Sequence, residues 1–210
     1  MKKTVAIILA ACALLLVSIA PNHTDADSKT KSSSVKRNNK GEIIHTAKGT
    51  EKIADIAIKY GVPLEELKEK NKIKSNTIDT GKEIILPKTL ASQEKDLMAR
   101  LVQAEAKGEP YKGKVAVATV VLNRVDSKKF PNRVDQVIKA KGQFTPVSNG
   151  QIKKPASAES KKAVNEAIAL QDALTEATFF YNPDKTNDRW IKSLPVIERI
   201  GHHNFAVSKS

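Results

Sequence analysis

The chain has 210 residues, enough for one medium domain and a small module, and its hydrophobic fraction of 40% is ordinary for globular material. The formal net charge of +13 is spread along the chain, and the 4% of aromatic residues form no run interleaved with arginine, which argues against a nucleic-acid partner. Cys12 is the only cysteine and lies in the amino-terminal apolar run, so a chain that has lost that run has no disulfide, thiolate metal site or cysteine nucleophile.

Lys2 and Lys3 precede an unbroken apolar run over 5–17, followed by Ser18, Ile19 and Ala20, the pattern of an export leader. Pro21 disfavours cutting directly after Ala20, so a leader of residues 1–26 cut near Ala26 and an uncleaved anchor both stay open. The run is short for a stable span, and no span is expected once the leader is removed. For an exported basic protein the natural acidic partner is a cell envelope rich in carboxylates and phosphates, although a solvated lysine surface explains the charge as well. Residues 27–40 are mostly Ser, Lys and Asn and are expected to form a linker.

A compact unit is expected at 41–88. Residues 42–46 read as a strand; Thr50 is placed to cap a helix whose Ile53, Ile56, Ala57 and Tyr60 share one face, and Gly61 ends it. Pro63 opens a second short helix carrying Leu64 and Leu67, and 83–86 form a closing strand after the turn at Gly81. This strand, helix, helix, strand order, with Ile56-Ala57, Lys59-Tyr60-Gly61-Val62, Asn71, Ile73, Ile78, Gly81 and Pro87, resembles the LysM family of small wall-binding modules. The resemblance implies a shallow groove for N-acetylglucosamine-containing glycans, formed by Thr50 and Ile53 from the first loop and Asn76, Thr77 and Ile78 from the second. The first loop departs from the family, with Thr50-Glu51-Lys52-Ile53 in place of Gly-Asp-Ser/Thr-Leu.

A second domain is expected over 92–207. Ser92 is placed to cap a helix over 92–107 whose Met98, Leu101 and Val102 form an apolar stripe, and Glu105 falls on the same stripe. A carboxyl there is disfavoured as an ion by burial and by the negative helix end near Gly108 and Pro110; one still protonated near neutral pH is suited to donate a proton to a leaving oxygen. Helical phase alone does not choose between this and a helix-end glutamate whose head group reaches water. Residues 115–122 are apolar on nearly every side and predict a central buried helix; 141–151 predict a cleft loop, 158–172 another helix, and 178–181, 196–200 and 203–207 three strands.

Several ordered motifs follow: Ala104-Glu105-Ala106-Lys107-Gly108-Glu109-Pro110, Val121-Leu122-Asn123-Arg124-Val125, Gln143-Phe144-Thr145-Pro146-Val147, Phe179-Phe180-Tyr181-Asn182-Pro183, Trp190-Ile191 and Gly201-His202-His203-Asn204-Phe205. Together they resemble the catalytic domain of the SleB-type cell wall hydrolases of spore-forming bacteria. The expected fold class is α+β, a small βααβ LysM module before a mainly helical lysozyme-like domain with a small sheet. The resemblance implies a secreted lytic transglycosylase of cell wall or spore cortex peptidoglycan, with Glu105 as the acid and base. Gln143, Phe144, Tyr181 and Trp190 would line the glycan groove, although Phe144 suits packing better. A water-using muramidase would need a second carboxylate, for which Glu109 is nearest, and an inactive wall-binding protein is a further alternative. No cofactor is expected. A zinc amidase would need three ligands, whereas His202 and His203 are adjacent and His45 lies in the small module.

Overall fold

The computed structural model describes residues 36–208. The expected leader, Cys12 and residues 27–35 of the expected linker lie outside the described residues. Among the described residues no helix is long and apolar enough to cross a membrane. Residues 36–40, which composition assigns to the linker, fold back on the first module: Arg37 bridges to Ile43, and Asn38 Oδ1 accepts the Lys40 and Glu42 N–H groups.

The first module contains strand β1 (Ile44–Thr46), the short strand β2 (Glu51–Lys52), helices α1 (Ile53–Tyr60) and α2 (Leu64–Asn71), the short strand β3 (Thr77–Ile78) and strand β4 (Glu83–Ile85). β1 pairs antiparallel with β4, placing His45 opposite Ile84. Between them, β2 and β3 form a two-residue antiparallel ladder with Glu51 opposite Ile78, a pairing too short to show a period in sequence. The amphipathic stripe of α1 buries Ile53, Ile56 and Ala57. Thr50 does not cap this helix; Lys52 is the N-cap and makes no side-chain bond, because the β2–β3 ladder holds the chain extended up to Ile53. Asn71 closes the module by donating to Leu67 O and Ile85 O and accepting from Ile85 N–H, which ties the end of α2 to β4.

The second part contains helices α3 (Ser92–Glu105), α4 (Tyr111–Asp126), α5 (Val134–Lys139), α6 (Thr145–Ser148) and α7 (Ala158–Leu170), strand β5 (Phe179–Tyr181), the single-turn α8 (Arg189–Lys192), and strands β6 (Val196–Ile200) and β7 (His203–Ala206). Ser92 is the first helical residue of α3 rather than its cap. Ala91 takes the N-cap position, and the Glu94 carboxylate accepts its N–H. α4 is buried from Gly113 through Leu122, as its continuous apolar run requires, and packs most extensively on α7, with α3 against both. Gln103 of α3 accepts from Ser157 N–H and Ser160 Oγ–H at the start of α7. The sheet runs β5-β7-β6, all antiparallel, with Phe180 opposite Phe205 and Tyr181 opposite Asn204. This mixed helix and small-sheet architecture is the expected α+β class.

The two hydrophobic cores meet at α7. Most of its buried face, including Ala163, Val164, Ala167 and Ile168, belongs to the larger core, whereas Ala169 completes the small one with Leu170 against it. At this joint Lys95 Nζ donates to Tyr60 O and Gly61 O at 2.9 and 2.8 Å, and burial lowers its pKa to about 8. Gly61, at φ 57 in the left-handed C-cap of α1, is required here, because a Cβ would stand 2.4 Å from Asn165 Oδ1 and 2.9 Å from Lys95 Nζ. The module is therefore seated on the helical body.

Candidate active site

The end of α3, the loop before α4, the loop entering α6, β5 and the segment around α8 enclose a cleft of about 1180 Å³. Glu105, the last residue of α3, lines it with Lys107 and Glu109. The adjacent Ala106 is fully buried and carries the apolar stripe of Met98, Leu101 and Val102 onward, whereas Glu105 is half-buried at the boundary between core and cleft. Its carboxyl is thus partly withdrawn from water at the end of the apolar stripe, on a residue that also lines the cleft. Burial lifts its pKa to about 7, and no cation or hydrogen-bond donor among the described residues offsets the rise.

Glu109 is in the opposite situation. Burial alone would raise its pKa, but the hydrogen bond from His202 N–H at 2.9 Å, the neighbouring imidazoles and the His202 Nδ1 contact at 3.2 Å outweigh that and hold it below the usual range. The β6–β7 turn is built around this carboxylate: Gly201 has φ +58, and a Cβ there would lie 2.1 Å from Glu109 Oε2. Glu109 is a loop anchor.

Arg124, near the end of α4, is 4% exposed yet lines the cleft. Its Nε donates to Thr178 O at 2.7 Å, and its guanidinium sits 5.1 Å from the Phe130 and Phe144 ring centroids and 5.3 Å from Phe179. Burial lowers its pKa to about 10, which leaves it charged at neutral pH. Its NH1 donates to Gln143 Oε1 at 3.1 Å. A guanidinium only donates, so the Gln143 carbonyl is turned toward Arg124 and its NH₂ group is left free to act as a donor. Asn123 donates to Thr175 O and Ala177 O, fixing the approach to β5.

The four expected groove residues do line this cleft, but not in equal degree. Gln143 is exposed, and Trp190 is 57% exposed, standing edge-on to Phe179 with centroids 5.4 Å apart. Phe144 and Tyr181 line the cleft from packed positions, the placement expected of Phe144. Phe144 is buried, stacks on Phe180 at 6.3 Å and belongs to the main core, whereas Tyr181 is buried against Leu194 and Ala206 and receives a bond from Asn204 Nδ2. His203 is buried at the back of the cleft, and His202 is exposed in the turn. In the small module the expected contacts also divide. Thr50, Asn76 and Thr77 are exposed, whereas Ile53 and Ile78 are each 1% exposed and serve as core; their loops are joined by the Ile53 N–H to Asn76 O bond. Sequence reasoning missed the enclosure of Arg124 by three rings, since those rings come from separate segments.

Residues 108–206 match the Cell Wall Hydrolase family, and residues 51–87 match the LysM domain. The chain is similar to the spore cortex-lytic enzyme of Bacillus cereus, 43% identical over 120 residues that cover 57% of this chain and 46% of that protein. It is also similar to the spore cortex-lytic enzyme of Bacillus subtilis, 42% identical over 120 residues, 57% of this chain and 39% of that protein. The chain thus spans less than half the length of these two relatives. Among solved structures, the catalytic domain of the Bacillus cereus SleB protein aligns with a TM-score of 0.52 and 41% identity, covering 57% of this chain and 94% of that one. The catalytic domain of the germination-specific lytic transglycosylase SleB from Bacillus anthracis aligns with a TM-score of 0.54 and 42% identity, covering 57% of this chain and 98% of that one. Matched by family, by sequence and by fold over its second part, the chain belongs to the cell wall hydrolase family and carries a LysM domain ahead of the family domain.

Proposed function

We propose that the protein degrades peptidoglycan as a lytic transglycosylase, cutting between N-acetylmuramic acid and N-acetylglucosamine with Glu105 as general acid and then base. The observation that carries this is the half-buried Glu105 carboxyl on the cleft wall, with a pKa near 7 and no compensating cation. A group so placed keeps its proton at neutral pH and can release it to the glycosidic oxygen as the bond to the anomeric carbon breaks. The carboxylate so formed then takes the proton of the muramic acid 6-hydroxyl while that oxygen bonds to the same anomeric carbon. The leaving sugar gains a hydroxyl, the muramic acid gains a 1,6-anhydro ring, and the enzyme's proton count is restored without water. A two-carboxylate hydrolysis fits less well, because Glu109 is engaged by His202 and anchors the turn.

The similarity to the germination-specific lytic transglycosylase of Bacillus anthracis supports the reaction class, and the spore cortex-lytic relatives support the cortex as substrate. The LysM domain holds the enzyme on its polymer through the exposed Thr50, Asn76 and Thr77 loops, and the protein works in the spore or wall envelope after export on its apolar leader. Purified protein incubated with cortex and vegetative sacculi, followed by mass spectrometry of soluble fragments, tests the reading. Anhydro-muramyl ends that disappear in Glu105→Gln are expected; reducing ends, or undiminished release by the variant, would overturn it.

A further inference from the structure

His203 opens β7 directly after the Gly201-His202 turn, is 7% exposed, and lines the cleft that contains Glu105. Its ring is held edge-on to Phe180 and Phe205, with centroids 5.3 and 6.3 Å away. Among the described residues, His203 Nδ1 is the one closed-off side-chain nitrogen or oxygen with no hydrogen-bond partner. The other buried polar groups show the contrast: Thr119 Oγ donates to Val115 O, Lys114 pairs with Glu159, and His45 is bonded through both ring nitrogens. An unsatisfied buried polar atom is uncommon in a folded protein and calls for a cause.

The orphaned nitrogen fixes the tautomer. An N–H on Nδ1 would be a buried donor that no partner can reach, whereas Nε2 is not closed off, so the proton is placed on Nε2. Among the described residues Nε2 has no partner either, yet it is not closed off, so it opens onto the cleft. Burial keeps the imidazole below its usual pKa against the pull of Glu109, with His202 and Lys185 acting in the same direction as burial, so the ring presents a neutral donor and not a cation.

On the footing of the glycan-cleaving activity proposed above, we infer that His203 is a binding residue of the cleft, donating through Nε2–H to the carbonyl oxygen of an acetamido group on the bound sugar. A neutral, directional donor held by two aromatic rings suits an uncharged acceptor. Sugar hydroxyls both donate and accept, whereas the amide carbonyl only accepts. Its engagement completes the ring's hydrogen bonding on the cleft side.

The test uses the full chain with Glu105→Gln, so that binding is read without turnover, and compares N-acetylated glycan strands with the same strands after chemical de-N-acetylation. His203→Phe keeps the ring in its aromatic seat and removes both nitrogens; it is expected to weaken binding of N-acetylated strands about fivefold, to leave binding of de-N-acetylated strands unchanged, and to melt no lower than its parent. His203→Gln, which keeps an N–H toward the cleft, is expected to recover most of the lost affinity. Undiminished affinity in His203→Phe, equal loss on both polymers, or equal loss in both variants would overturn the assignment. Absence of fragment release by the unmodified protein would instead sink the catalytic reading and leave these binding results to stand by themselves.

Discussion

His45 and His203 are both buried histidines, and the two regions around them treat polar groups in opposite ways. In the LysM domain His45 meets the Tyr60 hydroxyl at 3.0 Å and the Glu51 carboxylate at 2.5 Å, and nearby Asn71 uses its amide for three backbone bonds. In the cleft, among the described residues, His203 Nε2 has no protein partner, Glu105 is half-buried without a donor, and Arg124 is bonded to a carbonyl and an amide rather than to a carboxylate. The first region spends its polar groups on holding itself together. The second keeps valences that a ligand would complete, which is how a site differs from a scaffold built of the same residue types.

The sharpest way to break this contrast is at Glu105. Glu105→Gln should lower fragment release at least about a hundredfold, the usual weight of a general acid, and activity of the unmodified protein should fall as pH rises through about 7. Stability should move the other way. The folded carboxyl titrates near 7 and the unfolded one near 4.5, so the folded state holds its proton more tightly and loses stability as pH rises across that window. Urea unfolding should therefore find the variant equal to its parent near pH 4 and more stable above pH 7. A constant difference between those pH values would show that the carboxyl is not desolvated.

Arg124 tests whether the cleft's polar groups also carry stability. Arg124→Met keeps much of the stem but removes the guanidinium from three aromatic rings and the bond to Thr178 O. A loss of about 2–3 kcal/mol is expected in denaturant unfolding, from a charged hydrogen bond and cation–π contact in a desolvated place. Freed from Arg124, Gln143 should also lose its fixed orientation, raising KM. An unchanged midpoint would mean that the ring cluster holds β5 in place unaided.

A smaller effect is expected in the saturated region. His45→Phe strands the Tyr60 hydroxyl and the Glu51 carboxylate at the edge of the LysM core and should cost about 1–3 kcal/mol. The same substitution at His203 is expected to be neutral or stabilising. Equal destabilisation by the two substitutions, measured by thermal melts of the full chain, would remove the distinction drawn above.

What sequence could and could not give follows the reach of each interaction. The stripe of Met98, Leu101 and Val102 and the buried run in α4 are local periodicities, so the helices and the neighbourhood of Glu105 are legible from residues three and four apart. Helix starts shifted by one or two residues because the true boundary depends on partners elsewhere, the β2–β3 ladder at Ile53 and Glu94 at Ala91. The seating of the LysM domain on α7 was not legible at all, since it rests on Lys95, Asn165 and Ala169, each remote in sequence from Gly61 and its core. The same holds for Ile53 and Ile78. A loop position looks available to a ligand until the core beneath it is known.

Trp190 gives the smallest effect and separates the two parts of the cleft wall. It stands on the single turn α8, which Asp188 starts by accepting the Trp190 and Ile191 N–H groups, and more than half of its surface is open. Its fold contribution is one edge contact with Phe179, so Trp190→Ala should change stability by no more than about 0.5 kcal/mol. If the cleft takes glycan as proposed, this exposed aromatic face is expected to serve ligand contact, and KM for soluble glycan should rise about threefold to tenfold with kcat little changed. Because Phe144 and Tyr181 are packed, their truncation should show the reverse order, lost stability before lost affinity. If Trp190→Ala unfolds the domain while leaving KM alone, α8 belongs to the scaffold and the ligand-facing wall must be drawn without it.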